Sequence, residues 1–110
     1  MAKDDYFVVV YRILAYLYAC VKAGVKPDRK EISPAALEIE PGYWLYIMRY
    51  MQSDGYIHGF YSGELLGATP AVKVDDVEIT PKGITFLQEN SSMAKAKEFL
   101  KTVKEIIPGL

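Results

Sequence analysis

Apolar residues near the start of the chain recur at helical spacing, with Val10, Ile13, Leu14, Leu17 and Val21 on one stripe. Phe7-Val8-Val9-Val10-Tyr11 has the β-branched and aromatic character of a strand, so the length of the stretch decides for a helix. Gly24 supplies a stop, with Pro27 just beyond it. Tyr11, Ala15 and Tyr18 form a second apolar flank. A helix apolar on two sides is expected to be covered twice, once by its own core and once by another element.

Asp28 to Glu38 reads as a short helix or helical turn, with Ser33 as N-cap, Pro34 at the first helical position and Leu37 facing inward. Pro41-Gly42 is then expected to break the chain before a third helix over Tyr43 to Asp54. In that helix Trp44, Ile47, Met48 and Met51 make the inward stripe. Tyr43, Tyr46, Tyr50 and Asp54 share an adjoining face, and Leu45, Arg49 and Gln52 lie further round. Gly55 ends the helix, and Tyr56 to Ser62 reads as a strand. Gly63 to Ala71 is the expected loop, and Val72 to Ile79 the returning strand. A shift of parity after Val74 predicts an irregularity near Asp75-Asp76. Thr80 caps a helix that holds Pro81 in its first turn and turns Ile84, Leu87 and Phe86 inward. A last helix is expected from Ser91 or Ser92 to about Ile107, ended by Pro108-Gly109. Its seam of Met93, Ala96, Leu100, Val103 and Ile107 fits either docking on the first helix of the same chain or a dimer contact.

This order predicts an α+β, mostly helical fold in one domain over residues 1–110. It is the outline of a winged helix, with a three-helix core, a two-stranded β-wing and two C-terminal helices. Met51-Gln52-Ser53-Asp54-Gly55-Tyr56-Ile57, the strand pair and Glu78-Ile79-Thr80-Pro81-Lys82-Gly83 resemble the YjcQ family of small bacterial and phage-associated proteins. The likeness covers nearly the whole chain, including its Lys-rich C-terminal helix. The resemblance implies a winged-helix-like fold, and it brings no assigned biochemical role. The tyrosine-rich third helix and the apolar, acidic loop depart from the family pattern.

Composition narrows the function classes. A chain of 110 residues that is 51% hydrophobic and 25% charged is long enough for one core. Its formal net charge of −1 removes any whole-molecule positive field, so a DNA contact must come from local placement. Residues 56 to 90 carry a net −3, and the last helix a net +2. The lone Cys20 fits a buried thiol in a reducing cytoplasm. The apolar stretch from Tyr6 to Val21, about 16 residues and interrupted by Arg12, falls short of the ~20 that span a bilayer, so no membrane partner is expected. It also lacks the basic start and cleavage site of a signal peptide.

Catalytic chemistry is not indicated, and the expectation is a protein that is not an enzyme and holds no cofactor. His58 is the only histidine and no feature brings it to Cys20 or a serine. Asp75, Asp76 and Glu78 have no recognised metal spacing, and Gly59, Gly63 and Gly67 sit in a hairpin rather than in a phosphate loop. Binding is the better expectation. The winged-helix outline makes double-stranded DNA the first partner, with Tyr43, Tyr46, Arg49 and Gln52 facing bases and Arg29 and Lys30 on phosphates. The alternative is a protein partner on the aromatic face of the third helix, aided by Leu65-Leu66 of the loop. A homodimer is expected through Tyr11, Tyr18, Met93, Leu100, Val103 and Ile107, which would suit paired DNA half-sites.

Overall fold

The computed structural model describes residues 2–63, 71–74 and 76–91. The expected last helix and its seam residues Met93, Leu100, Val103 and Ile107 lie outside the described residues, as do Leu65 and Leu66. The order is α1 (Tyr6–Ala23), a 3-10 turn (Arg29–Ile32), α2 (Pro34–Leu37), α3 (Pro41–Ser53), β1 (Ile57–His58), β2 (Tyr61–Gly63), β3 (Ala71–Lys73), β4 (Glu78–Ile79) and α4 (Pro81–Glu89). The protein is α+β and mostly helical, with short antiparallel strand pairs.

Helix α1 is the centre of the core. Val8, Val9, Val10, Ile13 and Leu14 are fully buried, and α1 packs on α3, β4 and α4. Each large aliphatic side chain so buried contributes about 1.5–3 kcal/mol, which overrides the strand propensity of Phe7 to Tyr11. The helix ends at Gly24, whose left-handed φ of 70° lets its N–H reach back to the last turn. Val21 departs from the expected stripe: it is 48% exposed, while Ala19 and Cys20 beside it are buried. By length and composition this 18-residue helix also passes for a membrane span, and 61% of that window is buried inside the fold.

Between α1 and α3 the chain is fixed by local caps. The Asp28 carboxylate accepts from Lys30 N at 2.9 Å and Ser33 Oγ from Ala36 N at 3.1 Å, as N-caps do. Trp44 Nε1 donates to Ile32 O at 2.7 Å, which ties the 3-10 turn to α3. Helix α3 starts earlier than expected. Glu40 is the N-cap, its carboxylate accepting from Tyr43 N at 2.9 Å, and Pro41 sits in the first turn where its missing N–H costs no helical bond. Trp44, Ile47, Met48 and Met51 are buried, as their spacing predicts.

The hairpin is two short ladders rather than two continuous strands. Ile57 pairs with Ile79 and His58 with Glu78, whereas Tyr61 pairs with Lys73 and Ser62 with Val72. Two residues, Gly59 and Phe60, therefore face four on the returning side, the irregularity expected near Asp75-Asp76. Gly59 has φ 85°, and a Cβ there would overlap the Asp76 carbonyl. Phe60 turns inward and rests edge-on against Trp44, with ring centroids 5.9 Å apart. Thr80 then caps α4, its Oγ1 accepting from Gly83 N at 3.1 Å and donating to Gly55 O at 2.5 Å.

Candidate interaction surface

The outer face of α3 does not stand alone. Tyr46 and Tyr50 lie 51% and 47% exposed with ring centroids 4.6 Å apart, and Tyr46 meets Tyr6 of α1 edge-on at 6.2 Å. Tyr6 contacts Phe7 at 5.0 Å, and Phe7 stacks on Phe86 of α4 at 6.1 Å. Phe86 reaches Tyr56 at 5.4 Å, and Lys82 Nζ lies 5.4 Å from the Tyr56 ring centroid. Six rings from three helices and the α3–β1 junction thus make one strip. Each such pair contributes about 0.5–1.5 kcal/mol beyond area burial, so the rings hold one another in place.

Hydroxyls and carboxylates border this strip. Tyr43 donates from its phenol to Asp4 O at 2.6 Å, which pins the start of the chain beside α3. Burial first, then the Asp4 and Asp5 carboxylates, push the Tyr43 phenol above its ordinary pKa. Burial, followed by Asp54 and the neighbouring tyrosines, does the same to Tyr6. Both phenols therefore remain neutral donors at pH 7.

The six residues expected at DNA are not gathered in one place. Tyr46 belongs to the aromatic strip, and Tyr43 borders it through its bond to Asp4 O. Arg49 is exposed beside Tyr50 and Ser53, and on its other side a groove runs past Gln52, Phe60 and Tyr61. Gln52 turns to the hairpin: its Nε2 donates to Phe60 O at 2.9 Å and its Oε1 accepts from Phe60 N at 2.7 Å. Arg29 and Lys30 are exposed on the 3-10 turn.

Of the residues expected at a dimer contact, Tyr11 is only 4% exposed and belongs to the protein's own core. That placement corrects the expectation, because a buried ring offers no surface to another chain. Tyr18 is half-buried under Lys22, whose Nζ lies 4.6 Å from the ring centroid. Cys20 is buried, and burial pushes its thiol pKa up, the opposite of an activated nucleophile. Among the described residues no group of three or more His, Cys, Asp and Glu is placed to hold a metal ion.

Residues 11–106 match the family described as YjcQ protein. The chain belongs to the YjcQ family. No curated protein and no solved structure matches it. Within this family member, Tyr6, Phe7 and Phe86 are the strip residues that sequence reasoning missed. The available signal was Phe7, one turn ahead of Tyr11 on the second apolar flank of α1, yet exposed.

Proposed function

We propose that this YjcQ family member is a winged-helix-type, non-enzymatic, cytoplasmic binding module that docks a protein partner on the aromatic strip of α1, α3 and α4. The observation that carries the reading is the strip itself. Phe7, Tyr46 and Tyr50 are about half exposed, yet each is held by a neighbouring ring. Large aromatic side chains held in place and left open to solvent are what protein interfaces concentrate. The succession of helices, bent hairpin and α4 supports the winged-helix comparison.

Double-stranded DNA is the second reading, favoured by the exposed Arg49 in the groove beside Tyr61 and by Arg29 and Lys30 on the 3-10 turn. Two facts count against it. Gln52 spends its amide on Phe60, and Asp4 and Asp5 sit beside Tyr43 where phosphates would approach.

Anisotropy titration of a random-sequence duplex at two salt concentrations tests both. A protein-docking module shows no salt-dependent DNA affinity, while a photo-crosslinker in place of Tyr50 joins it to a protein and loses that product on Tyr46→Ala. Binding that falls steeply with salt and weakens on Lys30→Ala or Arg49→Ala overturns the first reading in favour of the second.

A further inference from the structure

Charge is distributed unevenly along α3. At its N-terminal end Lys3 stands against Asp4, Asp5 and Glu40, a net −2. These residues are drawn together by the Tyr43 bond to Asp4 O and the Glu40 cap on Tyr43 N. At its C-terminal end Arg49 and Lys82 stand against Asp54, a net +1. There Lys82 Nζ donates to Asp54 O at 2.7 Å and Arg49 lies beside Tyr50. The two ends are about 20 Å apart on a helix of 13 residues, with exposed Tyr46 and Tyr50 between them.

A surface that is acidic at one end, aromatic in the middle and basic at the other is complementary to itself when turned through a two-fold axis. Resting on the docking reading above, we infer that the occupant of the strip is a second copy of this chain, its α3 antiparallel to the first. The Tyr46 and Tyr50 rings meet their counterparts at the axis. Asp4 and Asp5 of each copy approach Arg49 of the other.

Sedimentation velocity across a concentration series of the full chain tests the pairing. The wild type sediments as a dimer at micromolar concentration, and Tyr46→Ala weakens it at least about tenfold while far-UV circular dichroism is unchanged. Asp5 makes no side-chain cap bond at the start of α1, so D5K removes no hydrogen bond, and unchanged far-UV circular dichroism is the check that it folds. D5K and R49E each weaken the homodimer, because each sets like charges against each other at both ends. A 1:1 mixture of the two restores dimer, since the heterodimer regains an opposite-charge contact at each end.

A wild-type chain that stays monomeric overturns self-pairing, and so does a dimer indifferent to Tyr46→Ala or a mixture that fails to recover. The docking reading is judged separately. It survives a monomeric result if crosslinks from position 50 to another protein still require Tyr46, and it falls with self-pairing if no crosslink forms.

Discussion

Tyr16 shows how much one buried polar group is asked to do. It is 5% exposed, its hydroxyl accepts from Asp28 N at 2.8 Å, and burial pushes its pKa up from 10.0 to about 12, only partly opposed by that bond. The unfolded chain gives up this proton near pH 10.0 and the folded protein near 12. The stability linked to this proton is therefore fully present below pH 10.0 and is lost as pH climbs through about 12. Tyr16→Phe strands the Asp28 amide and costs about 1 kcal/mol near neutral pH. It also shrinks the alkaline loss, so that urea midpoints at about pH 8 and about pH 11 lie closer together than in the wild type. An undiminished alkaline loss in the variant would assign the effect to Tyr11, Tyr6 or Tyr43, whose phenols are raised as well.

Among the elements, the hairpin is where sequence and structure part company. Tyr56 to Ser62 has unbroken strand character, but Gly59 takes a left-handed turn against the Asp76 carbonyl, and that contact is not local. Gln52 then bonds both polar groups of the Phe60 peptide, in place of the ladder bonds that the bend removes. Gln52→Ala leaves both groups without their side-chain partner and is expected to cost about 2–3 kcal/mol. Amide exchange at Phe60 accelerates more than at Met48 in α3, and equal protection at Phe60 in variant and wild type would remove the clamp. The inward stripe of α3 was legible because Trp44, Ile47, Met48 and Met51 obey a local period. The start of that helix was misread because Pro41 breaks a helix interior yet suits a first turn, and only the Glu40 cap tells which applies. The candidate surface was half legible. Spacing put Tyr43, Tyr46 and Tyr50 on one face, while the arrival of Tyr6, Phe7 and Phe86 depends on how α1 and α4 pack, which no local pattern carries.

At the scale of the whole molecule, the strip exists only while α1, α3 and α4 are held together, and the joint between α3 and α4 is small. Thr80 N donates to Tyr56 O at 3.0 Å, its hydroxyl donates to Gly55 O at 2.5 Å and accepts from Gly83 N at 3.1 Å, and Lys82 Nζ reaches Asp54 O at 2.7 Å. A Cβ at Gly83 would stand 2.5 Å from Tyr56 O, so the approach of α4 to the α3–β1 junction leaves no room there for a side chain. Since α4 and β4 also pack on α1, the joint belongs to the same cooperative unit as the core. Thr80→Val keeps the volume and removes both hydroxyl bonds, at a cost of about 2 kcal/mol. Urea unfolding followed by Trp44 fluorescence and by far-UV circular dichroism shifts to the same lower midpoint, because the only tryptophan reports on the core around α3. Separate midpoints, with the dichroism falling first, would mean that α4 melts alone and that the aromatic strip is assembled by docking of a locally unstable helix rather than built into the fold.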